Sequence, residues 1–396
     1  MKRKIVISIF MLFFYACFIV GLRLHWLYAA FLLILSQAYA FFYYKISRKG
    51  ECAKEDYYEV TIYMEQFLCS YKRLGHVRMA WEDCCHLFEK KSNIYQAIQR
   101  AIHIMETGEN GQGKTILSDA FREIERIYNS RRLEMMHRYI AQIEQTGGEV
   151  ITAIDMMLGD LQSWKQRTVV YQKKKSFLRK EFFLAAVFAL LMCCATHMIL
   201  PYNMVHRVED MTIYQVSTTV VLVLLPLFVL FVYNNCAKSW LDSSHRFGDA
   251  VEEEFPYWLW SVSLYLQQDS VYHALQQSCR GLKGELRKEV CRLLENIYEE
   301  PNSLIPYVQF FRSRDLPELH SGMKLLYSFS SGGYPDMQKQ VYFLVEQNQR
   351  MIEQRELNRQ QIALSAFQLV KQIPVLIAGG KIVLDAVVFV LQMAEM

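Results

Sequence analysis

The sequence predicts an all-α integral membrane protein, with two repeated cytoplasmic helical bundles and about five transmembrane helices. Hydrophobic residues make up 52% of the 396 residues. They collect in blocks long enough to cross a bilayer, for which a helix needs about 20 residues. The polar stretches between these blocks carry apolar residues at steps of three and four, which is typical of amphipathic helices, and strand-like alternation is nearly absent.

Five apolar blocks are the predicted spans. They are Ile5–Leu22, Leu24–Tyr44, Phe182–Leu200, Ile213–Tyr233 and about Ile373–Met393. The basic N-terminus followed by an apolar run also fits a signal peptide, but no small-residue cleavage site follows it. Only Arg23-Leu24-His25 separates the first block from the second. We therefore expect a membrane hairpin at the N-terminus.

Basic residues beside the spans predict the orientation of the chain. Lysines and arginines lie directly before the first span, directly after the second and directly before the third. The loops between paired spans contain no lysine and only two arginines, Arg23 and Arg207. The N-terminus and both large polar regions are therefore expected in the cytoplasm, with the C-terminus just outside. The predicted division is a transmembrane hairpin (1–44), a first cytoplasmic domain (45–181), two spans (182–233), a second cytoplasmic domain (234–372) and a last span (373–396).

Composition excludes several classes of function. The ten cysteines show neither a C-x-x-C pair nor the Cys/His spacing of a zinc site, so free thiols used as small apolar side chains are expected. The net charge of +4 is modest, and the basic residues lie at the membrane edges, which suits topology better than nucleic-acid binding. No arrangement for nucleophilic catalysis is visible, so neither a catalytic site nor a cofactor is expected.

The two polar regions resemble each other. Near their starts, Val77-x-x-Ala80-Trp81 with Cys85 parallels Val271-x-x-Ala274-Leu275 with Cys279, at an offset of 194 residues. Near their ends, Gly147-Gly148 parallels Gly332-Gly333 at an offset of 185. Each Gly-Gly pair precedes a long helix rich in Gln, Lys and Arg, about Val150–Glu181 and Met337–Lys371, which is predicted to run directly into a span. An internal repeat is therefore expected, with a nine-residue insertion in the first copy, since 194 − 185 = 9.

The segment Gly108 to Thr115, GENGQGKT, satisfies the P-loop pattern G-x-x-x-x-G-K-[ST] and lies at the predicted insertion. A P-loop needs a buried strand directly before it, so that backbone N–H groups can cradle phosphates. An amphipathic helix ending at Thr107 is predicted instead. We expect Gly108 to end that helix, Asn110-Gly111 to form a turn and Thr115 to N-cap the next helix. The alternative function is nucleotide binding, in which the chain is a membrane-anchored protein that uses residues 108–115 as its P-loop.

With the repeat laid out, the chain resembles the platform proteins of type II secretion, type IV pilus and Flp/Tad pilus machines, the "F domain" family. Family members carry a G-E-x-S-G-like turn before each long helix. Here IEQTGG keeps Glu144 and Gly147 with Thr146 at the hydroxyl position, and SFSSGG keeps Ser331 and Gly332. Ile143 replaces the first glycine, and Phe329 stands where the second acid is expected. The stretch Asp315-Leu-Pro-Glu-Leu-His320 is similar to a run of Tad-type sequences.

The resemblance implies a scaffold without a catalytic site. Such proteins are similar to adaptors whose cytoplasmic bundles meet a hexameric secretion ATPase and whose membrane part meets pilin or pseudopilin subunits. A second copy of the chain or a second platform protein is a further possible partner. By the same resemblance, the machine lies in the inner or only membrane.

Lys381 and Asp385 in the fifth span are a further candidate site. Ionisable groups within a span cost a few kcal/mol and usually mark pairing or function. Their i, i+4 spacing places both on one helix face, where they can neutralise each other, with Gly379-Gly380 predicted to allow a close helix approach. The alternative is that Lys381 offers its charge to an acidic residue within a pilin helix.

Overall fold

The structure is a computed structural model that describes residues 2–108, 113–128, 130–146, 150–199, 211–237, 250–266, 269–279, 282, 284–312, 317–331 and 337–394. Within these ranges the chain is helical and contains no strand. In chain order the helices are α1 (Lys2–Gly21), α2 (Trp26–Leu74), α3 (Val77–Cys85), α4 (Asn93–Thr107), α5 (Gly113–Glu125), α6 (Arg131–Thr146), α7 (Val150–Ile199), α8 (Thr212–Ala237), α9 (Ala250–Tyr265), α10 (Val271–Cys279), α11 (Gly284–Glu299), α12 (Ile305–Gln309), α13 (Pro317–Ser330), α14 (Met337–Val370) and α15 (Ile373–Ala394).

The chain divides into two compact units. The span unit comprises Met1–Tyr57, Thr168–Trp240 and Gln360–Met396, and the polar unit comprises Tyr58–Arg167 and Leu241–Arg359. This differs from the predicted division in two respects. The polar segments nearest the membrane belong to the span unit, and the two polar regions share one unit instead of forming two.

Four stretches of the described residues are long and apolar enough to cross a membrane: Lys4–Gly21, Trp26–Leu74, Thr212–Asn235 and Glu346–Leu391. They overlap the predicted first, second, fourth and fifth spans, so the chain is an all-α protein with membrane-length apolar helices. The predicted third span, Phe182–Leu200, begins inside α7, but its side chains from residue 194 onward lie outside the described part of the chain. That span stays a prediction.

Buried tyrosines fasten the N-terminal hairpin to α8 within the span unit. The Tyr15 hydroxyl donates to the Leu222 carbonyl at 3.0 Å, and the Tyr39 hydroxyl donates to the Val223 carbonyl at 2.8 Å. The two tyrosine rings stack on each other, with centroids 6.3 Å apart. Each phenol keeps its hydrogen bond while its ring is buried, so polar groups in an apolar setting remain satisfied.

Helix α2 is longer than the sequence predicted. The second span was expected to end at Tyr44, with a separate polar domain after it, but one helix of 49 residues runs from Trp26 to Leu74. The segment 45–73 contains no proline and a single glycine, Gly50, so nothing in it forces the helix to break. Its C-terminal part supplies core side chains to the polar unit, among them Tyr63 and Phe67, both fully buried.

Both long helices were predicted correctly, but the second does not run directly into the fifth predicted span. Helix α7 begins at Val150 and runs unbroken for 50 residues, through the predicted junction at Glu181. Helix α14 ends at Val370, and Lys371–Gln372 form a turn before α15 begins. Pro374 explains the interruption, because it lacks the N–H that would bond to the carbonyl four residues earlier, at Val370, and its ring clashes there.

The two polar regions pack against each other inside the polar unit. Gln142 on α6 donates to the Ser261 carbonyl at 3.2 Å and accepts from the Ser261 hydroxyl at 3.1 Å. Tyr139 lies against Trp260, with ring centroids 5.5 Å apart. Helices from both halves of the sequence are therefore in direct contact at this point.

Candidate functional site

A five-residue ion-pair network in the polar unit joins three helices, and we call it the stem network. Its members are Arg132 on α6, Asp160 and Arg167 on α7, and Glu353 and Glu356 on α14. Arg132 pairs with Asp160 and, at 2.7 Å, with Glu356. Arg167 pairs with Glu353 and contacts Glu356 through both Nη2, at 3.0 Å, and Nε, at 3.2 Å. The two long helices are therefore tied through both arginines.

Helical spacing places these charges on facing surfaces. Asp160 and Arg167 are seven residues apart on α7, close to two full turns, so they project from one face. Glu353 and Glu356 are neighbours at i, i+3 on α14. Each arginine presents a planar guanidinium with several N–H donors, which lets it hold two carboxylates at once.

The network is deeply buried at its inner end. The side chains of Arg132 and Asp160 are 11% and 6% exposed. Burial raises the pKa of the Asp160 carboxyl, while the charge of Arg132 acts against that rise. The Arg132 guanidinium also lies over the Trp164 ring, 4.9 Å from its centroid. A charge in this position is stable only with its partners in place, so the network fixes how the three helices meet.

Sequence reasoning missed this network, although one signal was present. Asp160 interrupts the apolar face of α7, between the buried residues Met157, Leu161 and Trp164. A carboxylate on an apolar helix face predicts a buried cation opposite it. The identity of that cation depends on the packing of α6, which spacing along the chain does not give.

We call the long helices α7 and α14 the stems. A second ion pair, within the span unit, joins α7 to the residue just after α14. Lys371, just after α14, pairs with Glu181 on α7 at 2.8 Å, and both side chains are partly exposed. The Arg179 guanidinium lies over the Tyr233 ring of α8, 5.2 Å from the centroid. Charged and aromatic side chains thus cluster directly before the predicted third and fifth spans, where interfacial anchors are expected.

A buried hydrogen-bond relay organises the first polar region. The Trp81 indole N–H donates to the Tyr63 hydroxyl at 2.9 Å, which faces His137 Nε2 at 3.0 Å. His137 Nδ1 lies 2.9 Å from Glu125. Since Tyr63 accepts from Trp81, its own proton goes to Nε2, and Nδ1–H donates to the carboxylate. Burial lowers the pKa of His137, which keeps the imidazole neutral in this arrangement.

The family-motif residues are only partly visible. Glu144 is exposed on α6 and hydrogen bonds with Tyr71, whose pKa is raised by burial and by this carboxylate. Ser331 is exposed, and its hydroxyl donates to the Ser328 carbonyl at 3.3 Å. Thr146 is the last residue of α6, and its side chain lies outside the described residues, as do Gly147, Gly332 and residues 315–316. Of these motif residues the structure places the side chains of Glu144 and Ser331, and the rest of the motif stays a prediction.

At the P-loop-like segment, the helix that was predicted before Gly108 is confirmed. Gly108 C-caps α4 in the left-handed conformation, with φ 62°, and its N–H bonds to the Ile104 carbonyl. The predicted N-cap at Thr115 is wrong, because α5 already begins at Gly113. Residues 109–112, including Asn110-Gly111, and the side chains of 113–115 lie outside the described part. A helix before the glycine differs from the strand that a P-loop requires.

Lys381 and Asp385 form a buried ion pair on α15, and the two side chains are 2% and 5% exposed. The Lys381 ammonium lies over the Tyr214 ring of α8, 4.1 Å from its centroid. The ammonium is therefore enclosed by its own carboxylate and an aromatic face. Among the described residues, a Cβ added to Gly379 or Gly380 would meet nothing within 4 Å, so neither glycine allows a close helix approach there.

Little space for a ligand accompanies these residues. A cavity of about 20 Å³ lies beside the stem network, lined by Met64, Met136, Asp160 and Trp260 among others. This volume suits about one water molecule. Among the described residues, the buried Asp160 Oδ1 and Trp260 Nε1 atoms have no hydrogen-bond partner. Among the described residues, no cluster of three His, Cys, Asp or Glu side chains could hold a metal ion.

Comparison with known proteins gives no relative. No family model, no curated protein and no solved structure matches this chain. The class that the fold defines is an all-α protein with membrane-length apolar helices, and any narrower assignment depends on the chain's own residues.

Proposed function

We propose that this chain is the platform of a type II secretion or Tad-type pilus machine. In this role it is a scaffold in the cytoplasmic membrane that couples a hexameric secretion ATPase to the extraction and polymerisation of pilin subunits. It contributes no catalysis of its own, and the nucleotide is bound by the ATPase. The N-terminus and both polar regions face the cytoplasm, as the distribution of basic residues predicts.

The continuity of α7 carries the proposal. This one helix includes core residues of the polar unit, such as Leu161, and the apolar residues of the predicted third span, beginning at Phe182. A continuous α-helix resists bending, since every turn is held by backbone hydrogen bonds. A push or rotation applied to the polar unit by a cycling ATPase would therefore pass along α7 into the membrane.

Burial in the two polar regions supports the internal repeat. Helices α3 and α10 have nine residues each, and their buried positions correspond: Val77, Ala80, Trp81 and Cys84 against Val271, Ala274, Leu275 and Ser278. Buried positions also correspond between α6 and α13, at an offset of 186 residues: Leu133, His137, Ile140 and Ile143 match Leu319, Met323, Leu326 and Phe329. Shared spacing on successive helices favours two copies of one helical unit.

This correspondence sharpens the motif comparison. It places Phe329 opposite Ile143, so the position that matches Glu144 is Ser330. Glu144 hydrogen bonds with Tyr71, whereas the Ser330 hydroxyl donates to the Tyr327 carbonyl at 2.8 Å. Only the first copy therefore has a carboxylate beside a tyrosine at this position.

The burial of Lys381 affects which surface of the chain is proposed to contact pilin. Because its ammonium already contacts Asp385 and the Tyr214 ring, it is not offered to an acidic pilin residue in this conformation. The pair is better suited to fixing α15 against α8. Pilin contact is then assigned to exposed apolar faces of the spans, and Lys381→Met is expected to lower protein stability more than pilin affinity.

The test is a deletion of the gene in its native host, followed by complementation. We expect loss of surface pili or of the secreted substrate, with the secretion ATPase still present at its normal level. The purified full chain in detergent should also retain that ATPase in a pull-down, and a chain lacking 58–167 should not. Normal pilus assembly and secretion in the deletion strain would overturn the proposal.

A further inference from the structure

Two cysteine thiols lie in contact in the second polar region. Cys279 is the last residue of α10, and Cys291 lies on α11, the next helix along the chain. Their Sγ atoms are 3.5 Å apart. Disulfide formation requires about 2.05 Å between the sulfurs, a closure that a small side-chain rotation can supply. The two positions are only 12 residues apart in sequence, and the packing of α10 beside α11 already brings their sulfurs into contact.

The two thiols differ in accessibility, which suggests an order of events. Cys279 belongs to the core of this region and is 8% exposed, whereas Cys291 is half-buried at its edge. Burial raises the pKa of Cys279, while Arg287 beside it favours the thiolate. A soluble oxidant therefore reaches Cys291 first, and Cys279 is placed to react second.

The first polar region offers a built-in comparison. There Cys85 occupies the position that matches Cys279, and Gln99 matches Cys291, since α3 and α4 correspond to α10 and α11 at offsets of 194 and 192. Gln99 Nε2 donates to Cys85 Sγ at 3.3 Å. An amide at this position makes a hydrogen bond but cannot be oxidised to a cross-link. The reactive pair is thus specific to the second region.

We propose that Cys279 and Cys291 are a reversible dithiol–disulfide switch that responds to low-molecular-weight disulfides such as oxidised glutathione. The Cys291 thiolate attacks the glutathione disulfide, which forms a mixed disulfide and releases one glutathione thiol. The Cys279 thiolate then attacks Cys291 Sγ and expels the second glutathione thiol. Two protein thiols are oxidised, one glutathione disulfide is reduced to two thiols, and the protons pass to the leaving thiolates.

Oxidation would fix α10 to α11 in their present arrangement. The bond closes the loop over residues 280–290 and so limits the opening of this part of the polar unit. Disulfides in reducing compartments are usually transient and sensory, which suits a contact pair that is not yet bonded. This inference does not depend on the proposed role in secretion, because it concerns only these two helices.

The test uses the full chain in detergent micelles, equilibrated in glutathione buffers of increasingly oxidising ratio and quenched with acid. Trypsin separates the two cysteines, because Arg280, Arg287 and Lys288 lie between them. A non-reducing digest is expected to show the peptide ending at Arg280 linked to the peptide that ends at Arg292. Most of the free Cys279 and Cys291 should be lost together, and dithiothreitol should restore both.

Two variants make the result decisive. In Cys279→Ser, Cys291 should stop at the mixed disulfide with glutathione. In Gln99→Cys, the first region gains the same pair of positions, and a new linkage to Cys85 should appear. The exposed Cys69 reports that the oxidant is active. The proposal is overturned if, where Cys69 is modified, the wild-type chain carries glutathione on Cys291 while Cys279 stays a free thiol, or if both stay free.

Discussion

The stems of the two polar regions end differently. In the first half of the chain, α7 continues through the predicted junction with the membrane as one helix. In the second half, α14 stops at Val370 and α15 starts at Ile373, with a turn at Lys371–Gln372. Two segments that resemble each other in sequence thus reach the membrane through different connections.

The difference shows that two segments of similar sequence can be joined to the next apolar segment in different ways. Helix α7 keeps its regular helical turns throughout, whereas between α14 and α15 the Gln372 N–H bonds to the Leu369 carbonyl, three residues earlier, at 3.1 Å. The stem network connects both stems, so a movement of α14 is passed to α7 through Arg132 and Arg167. On this account the second stem acts through the first.

The largest effect is expected for Arg132→Met, which removes the cation shared by both stems. Asp160 would be left buried without its partner, and breaking a buried pair costs about 3–5 kcal/mol. Thermal unfolding of the full chain in detergent, followed by tryptophan fluorescence, should show a large fall in the Tm. Adding Asp160→Asn should recover part of the loss, because it removes the stranded charge.

The control is Arg126→Met, at an arginine that is 73% exposed. Exposed pairs contribute about 0–1 kcal/mol, so this variant should unfold close to the wild-type Tm. Equal stability of Arg132→Met and Arg126→Met would contradict the role given to the stem network.

A smaller effect on stability is expected at a buried position that differs between the two polar regions. His137 is neutral and buried in the first, where the second has Met323. Burial lowers the pKa of His137 below its ordinary 6.5, so the unfolded chain binds its proton more readily. Stability should be full above about pH 6.5 and should decrease as the pH falls below it. Tm measured over that range tests this, and His137→Gln should flatten the dependence while keeping both hydrogen bonds.

Pro374→Ala sharpens the comparison at the break itself. Restoring an N–H at this position allows a bond to the Val370 carbonyl, so α14 and α15 should become continuous. The cost in unfolded-state entropy is about 0.4–1 kcal/mol, which keeps the net change in stability small. Hydrogen exchange at the amides of 371–373 should become slower than in the wild type. Unchanged exchange there would show that the proline is not the cause of the turn.

The smallest effect is expected at the P-loop-like segment, which only the first half contains. Lys114→Ala should leave pilus assembly intact and change stability by no more than about 0.5 kcal/mol. The matched readout is nucleotide binding by the purified chain, which should be equal for the wild type and the variant. A severe loss of assembly at normal protein level would restore the nucleotide-binding alternative.

Much of the fold follows from local pattern. The apolar blocks, the start of α7 at Val150 and the helix end at Gly108 are set by hydropathy, helical periodicity and a glycine that adopts positive φ, and all three were predicted. The break before Pro374 was also readable, since a proline limits the preceding turn, but the apolar run hid it. Thr115 was misjudged because a good capping residue also fits within the first turn of a helix.

The candidate site could not be predicted in the same way. The stem network joins residues more than 180 positions apart, such as Arg167 and Glu356, which differ by 189. The union of both polar regions in one unit likewise depends on side chains such as Gln142 and Ser261 that carry no pairing signal in sequence. Tertiary packing selects these partners, and periodicity along one helix reports only which face is buried.

The most direct test of the account compares two short Gly-Ser insertions in the native host. One follows Gln172, inside α7, and the other follows Gln372, at the existing break. The account predicts that the first abolishes pilus assembly while protein level and ATP hydrolysis by the partner ATPase persist, and that the second is tolerated. Normal assembly after the insertion at Gln172, or equal loss after both insertions, would contradict the role of α7 as the rigid connection.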